Sequence, residues 1–247
     1  MLNDSFRIFT HTMETTNFYA TACGFIVLTV VFYSLLFSEL KKGLALTLWE
    51  EGRKKKIFNR SLLAVVLWTV FISALGLSGF LQDFSTFPPR LMIVLVVPLV
   101  TILFITFSGT TKELLRHIDM KNIIRLQVFR VFVELLLWSL LLQNLMPVQM
   151  SFEGRNFDVI SGATAPLAAY FLANNKTALV IWNLFSLGLL INIVTIAILS
   201  LPSPLRVFMN EPANTIVTYF PFVWLPGLLV PLAYGLHFLS LRKLTIK

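Results

Sequence analysis

Inside an otherwise apolar run, RLQVFRVFVELLLW (residues 125–138), the chain places Arg130 and Glu134 one helical turn apart. That spacing lets a guanidinium and a carboxylate meet on one helix face. Gln127 and Trp138 share the same arc, while Leu, Val and Phe fill the rest of the helix. If the helix enters lipid near Arg125, Glu134 lies about 12 Å deep at a rise of about 1.5 Å per residue, close to a bilayer midplane. An ionised carboxylate there costs several kcal/mol unless it is paired, hydrated or protonated. The pair therefore implies a polar site facing the protein interior, with Glu134 as a proton- or cation-responsive group and Arg130 as its counter-charge or an anion anchor. The competing reading is structural: Arg130 snorkels to the headgroups and Glu134 bonds a neighbouring helix.

Further polar positions join these as candidates. Asn192 and Thr195 lie one turn apart in another apolar run, where they can line the same cavity or bond between helices. Asp158 follows "EGRN" at the head of a run rich in small residues, SGATA, where a carboxylate can cap the helix N-terminus or add to the polar set. Trp224 and Tyr234 can line a pocket in the last run, which carries Pro221, Pro226 and Pro231 as possible kinks. His237, toward the end of that run, reads as a residue of the membrane interface.

The elements that must hold these side chains follow from composition. Of the 247 residues 57% are hydrophobic and 13% charged, with a mean hydropathy of +0.81, whereas about 25% of a soluble chain is charged. The natural solvent is lipid. Apolar segments of roughly membrane-spanning length occupy residues 18–37, 62–80, 91–107, 126–146, 157–173, 179–201 and 216–241. Of these, 157–173 is short and broken by Pro166, so a re-entrant or packed helix is the alternative there.

Basic residues give an independent reading of orientation, because loops retained in the cytoplasm are enriched in them. Assigning alternate loops to opposite sides puts 15 of the 20 Lys and Arg on one side and leaves Arg7, Arg90, Arg155 and Arg206 on the other. The expectation is one all-α polytopic membrane domain, residues 1–247: a bundle of seven transmembrane helices, N-terminus outside and C-terminus cytoplasmic, in the plasma (inner) membrane. The stretch KKGLALTLWEEGRKKK (residues 41–56) reads as a cytoplasmic connection that lies on the leaflet or is simply solvated.

Several sharper chemistries lack their residues. Seven spans with an outward N-terminus match the topology of rhodopsins, but a retinal Schiff base needs a lysine within the last helix, and the first there is Lys243, beyond its end. His11, His117 and His237 form no metal-ligand pair, Cys23 is the lone cysteine, and no GxSxG elbow or phosphate-binding glycine loop occurs. The net charge of +8 follows from loop orientation and comes with no nucleic-acid motif. A non-enzymatic protein with no cofactor is expected: a small-solute or ion transporter, alone or as a homo-oligomer, with a heptahelical ligand sensor or an accessory subunit of a membrane complex as alternatives.

Overall fold

The computed structural model describes residues 2–246, with side chains from Thr15 to Ile246. Among the described residues there are helices and no strands. α1 (Leu2–Leu46) and α2 (Glu51–Leu77) form a long hairpin. Only residues 47–50 join them, so the basic stretch expected as a surface connection is mostly helix, with the Arg53 guanidinium 4.3 Å over the Trp49 ring. α3 (Leu91–Phe107) is uniformly apolar; at Ser108 the chain bends by 71° into α4 (Gly109–His117). Ser108 makes that turn, its Oγ accepting from Thr111 N at 3.2 Å. In α4, Thr111, Leu114 and Leu115 are buried and Lys112 and Arg116 exposed, the pattern of a helix with one apolar face.

α5 (Met120–Leu126) and α6 (Phe129–Leu142) are nearly continuous. The break between them is tightened by i,i+3 bonds from Arg130 N to Gln127 O (3.2 Å) and Val131 N to Val128 O (3.1 Å). An irregular segment leads to α7 (Asp158–Leu167), which continues as a π-helical turn, Ala168–Leu172. α8 (Lys176–Leu199) starts at Asn175, whose Oδ1 accepts from Ala178 N. The chain then runs irregularly to a second π-helical turn, Leu225–Leu229, and α9 (Val230–Thr245).

The described helices include four long and apolar enough to cross a membrane, or five if the bent α3–α4 pair is one span. Helix occurs in all the expected segments, but seven full spans are not evident. The fourth segment is interrupted at Gln127, the fifth is short, and the seventh opens with a single 3-10 turn, Ile216–Thr218, becoming continuous helix only from about Leu225. Pro226 marks the late start, in a first-turn position where a missing N–H is harmless, while Pro231 falls where the π-helical turn passes into α9 and Gly227 O accepts from Trp68 Nε1 (2.9 Å).

Tertiary bonds define the ends of the bundle. At one, Asn122 reaches Glu39 (2.7 Å) and Arg242 reaches Ser108 O (3.3 Å), gathering the basic segments. At the other, Thr21 bonds Ser139 (2.7 Å) and Gln149 bonds Ser200 (2.9 Å). α9 is the central element: 72% of its apolar window is buried, against 11% for α2. It packs against α3, α4, α5 and α8, and α6 is held between α1 and α7.

Candidate functional site

Arg130 lies eight residues after Asn122 and nine before Ser139, so about 12–14 Å from either end at the helical rise. The polar arc faces protein: Arg130 and Glu134 are each 2% exposed, whereas Phe132 and Leu135 on the far side of α6 are 48% and 50% exposed. Snorkelling of Arg130 to the surface is excluded by this burial.

The partner of Arg130 is Asp158, not Glu134. Nε donates to Asp158 Oδ2 at 2.6 Å, and Nη2 donates to Oδ1 and, at 3.2 Å, to Ser186 O. This planar two-point pairing is what a guanidinium does best, and a carboxylate on its own helix a turn away does not present that geometry. Asp158 is accordingly not the N-cap expected of it. α7 has no side-chain cap on Phe157; instead Asn156 Oδ1 accepts from Asp158 N at 3.0 Å.

Close packing of α7 on α6 makes the pairing possible. A Cβ at Gly162 would stand 2.8 Å from Val131 N and 3.1 Å from Arg130 Cβ, so glycine allows the helix to approach and brings Asp158, one turn earlier, to the guanidinium. α7 thus begins halfway through the bundle. The irregular chain before it, 147–157, descends from the far end and is tied down by Glu134, which accepts from Phe152 N (2.7 Å) and from Asn156 Nδ2. Non-helical backbone at such depth is tolerated where protein surrounds it. Gly154 permits the turn, since a Cβ there would meet Gln149 Cα at 2.6 Å.

Beyond Arg130 the layer continues to His237, which is fully buried and not at the interface. Arg130 Nη1 lies 2.9 Å from His237 Nε2, and His237 Nδ1 3.0 Å from Asn183 Oδ1. A guanidinium only donates, so Nε2 accepts and Nδ1–H donates to Asn183. Asn183 in turn donates to Leu179 O (2.8 Å) and Ser240 Oγ (3.0 Å). The result is a continuous chain, Asp158–Arg130–His237–Asn183–Ser240, linking α7, α6, α9 and α8.

Not every hydrogen-bonding group here is satisfied within the protein. Gln127 donates from Nε2 to Ala233 O at 3.4 Å, but its Oε1, together with Ser161 Oγ and Ser186 Oγ, is buried without a protein partner. Asn214 donates to Ala197 O (3.1 Å) and likewise leaves Oδ1 unpartnered. Such groups cost about 1–3 kcal/mol each when nothing bonds them.

Asn214 lines a cavity of about 80 Å³ that runs from the end opposite the basic cluster, between Met92 and Leu201, to Arg130, Glu134, Asn156 and Asp158. Its walls are otherwise apolar, as at Leu137, Ile193 and Val194. The other sequence candidates fall outside it. Asn192 is exposed and donates to Arg155 O (3.1 Å), and Thr195 is exposed and bonds Ile191 O on its own helix. Trp138 donates to Glu153 Oε1 (2.6 Å), and Trp224 to Ser73 Oγ (2.8 Å). Tyr234 is half-buried against the Phe238 ring, 5.9 Å between centroids. Sequence reasoning missed Asn156 and Asn214 altogether; the dense polar run EGRN before an apolar helix was the signal available for Asn156.

Fold and site together define a helical membrane-type protein with a charged layer at mid-depth. The chain belongs to the family described as a domain of unknown function (DUF8737), whose model matches residues 88–245, from the approach to α3 through α9. No curated protein and no solved structure matches it.

Proposed function

We propose that this chain moves a small solute or ion across the plasma membrane, crossing it seven times with the basic end in the cytoplasm and the N-terminus outside. The observation that supports this most is the cavity that ends at Glu134 and the Arg130–Asp158 pair, with Asn214 Oδ1 unpartnered on its wall. A volume of about 80 Å³ suits several waters or a small ion; pockets for drug-sized molecules run to about 300–1,000 Å³.

In this reading Glu134 is the group that exchanges a proton or meets a cation. Ionised, it holds the segment 147–157 through Phe152 N and Asn156. Neutralised, it accepts more weakly and loosens the wall formed by Met150 and Asn156. The Arg130–Asp158–His237 chain is the barrier below. Interrupted helices that border one cavity at mid-depth, as α7 at Asp158 and the turn before α9 at Leu225 and Pro226 do here, are a recurrent way to build such sites. The reading is non-enzymatic and requires no cofactor.

The purified chain in liposomes tests it. Dissipation of an imposed pH gradient, or uptake of an alkali cation, is expected for the natural chain and is lost in Glu134→Gln. Absence of any flux sinks the proposal. The apolar walls favour a second reading, a sensor that binds a small amphipathic molecule; saturable binding without flux would select it. A cytoplasm-only reporter at the C-terminus tests the odd number of crossings and should be active.

A further inference from the structure

A second cavity, of about 370 Å³, lies at the basic end, at the seam between the α1–α2 hairpin and the family-matched helices. Its walls are apolar, with Leu36 and Leu40 from α1, Val65 from α2, Ile105 from α3 and Leu114 from α4. Ser61, Ser108 and Glu39 line it as polar groups. The flank of α2 beside it, Leu62, Leu63, Val66 and Leu67, is exposed, so the cavity adjoins a lipid-facing helix.

Basic residues outnumber acids beside this cavity. Lys56, Arg60 and Lys112 are next in sequence to the lining residues Ile57, Ser61 and Thr111, and Arg242 donates to the carbonyl of the lining residue Ser108 at 3.3 Å. Among the described residues none of these cations has an acidic partner within 4.0 Å. The acids close by are already engaged: Glu39 by Lys42 (2.6 Å) and Asn122 (2.7 Å), Glu113 by Arg116 (2.7 Å). Arg242 Nε is buried with no partner.

We infer that this cavity takes an acyl chain of an anionic phospholipid, with its phosphate held by Arg242, Lys112 and Arg60. The apolar volume accommodates the chain end, and the unpaired cations supply what an anionic headgroup needs at that depth. A zwitterionic lipid fits the walls but gains less from the rim. The inference stands independently of the transport reading, because it rests on a different cavity.

Native mass spectrometry of the full chain, released from micelles containing equal phosphatidylglycerol and phosphatidylcholine, tests it. Phosphatidylglycerol is expected to be retained, one per chain, at least tenfold over phosphatidylcholine. Filling the cavity with Val65→Trp, or separately with Ser61→Trp, should abolish retention, and the double variant Arg60→Glu/Lys112→Glu should bring the two lipids level. Each variant is compared only as a monodisperse preparation with cooperative melting, and the charge variants, which lie on the surface, keep the test decisive if a tryptophan prevents folding. Equal retention of both lipids by the natural chain, or phosphatidylglycerol retention unchanged in the charge variant, would overturn the assignment.

Discussion

Removing either partner of the Arg130–Asp158 pair strands a charge in the middle of the bundle. Arg130→Met leaves the Asp158 carboxylate unpaired and takes donors from His237 Nε2 and Ser186 O. An unpaired buried charge costs about 3–5 kcal/mol, and each neutral bond lost adds about 0.5–1.5 kcal/mol. Asp158→Leu leaves Arg130 its bonds to His237 and Ser186 but removes the carboxylate paired with it, again about 3–5 kcal/mol. The double variant strands no charge and forfeits mainly the neutral bonds, so it should cost less than the sum by about 3 kcal/mol or more. Unfolding titrations in mixed micelles measure all four corners of this cycle. Because the pair is largely buried, added salt should weaken the coupling much less than that of a surface pair. Additivity within about 0.5 kcal/mol would refute the reasoning.

Other outcomes follow from the same contacts. Glu134→Leu strands Phe152 N–H and one of the two Asn156 amide hydrogens, the other staying on Met150 O (3.0 Å), and should destabilise by about 2–4 kcal/mol, Glu134→Gln by less, with faster hydrogen exchange across 150–156 as the readout. Gly162→Val sets a side chain against Val131 N, 2.8 Å from its Cβ, and should lower stability by about 1–3 kcal/mol in the same titrations, more than Gly162→Ala. Trp224→Phe loses the bond to Ser73 Oγ and should cost about 0.5–1.5 kcal/mol. In the far-end loop, the hydrogen bond from Arg206 and then that from Ala213 N hold the Glu211 carboxyl below its ordinary 4.5. A depressed carboxylate stabilises the fold above the ordinary value and ceases to as pH falls through the lowered one. Proteolysis of 203–213 should therefore quicken only at acid pH, and Glu211→Gln should remove that dependence.

The inward face of α6 was legible because Arg130 and Glu134 have no tolerable alternative in lipid. Their partners were not. An i,i+4 rule sees only its own helix, and it pointed Arg130 at Glu134, whereas the carboxylate that satisfies the guanidinium lies 28 residues on. The small-residue run SGATA did announce a close helix contact, now seen at Gly162. It could not say against which helix. Apolar length marked where helices form but not where they break: the i,i+3 bonds at Gln127 and the mid-depth start of α7 depend on tertiary packing. His237 looked interfacial from its position near a helix end, and only the arrangement of Arg130 and Asn183 around it reveals a buried link.

On the transport reading, water reaches the charged layer from one side only, through the cavity beside Arg130 and Glu134. Cys23, the lone cysteine, is exposed and is first replaced by Ala. Ala197→Cys then sits on the cavity wall and Leu239→Cys beyond the layer, in the other cavity. A membrane-impermeant thiol reagent added outside sealed, correctly oriented vesicles should modify Ala197→Cys and spare Leu239→Cys. Protection of Ala197→Cys, or modification of Leu239→Cys from that side, would contradict the account.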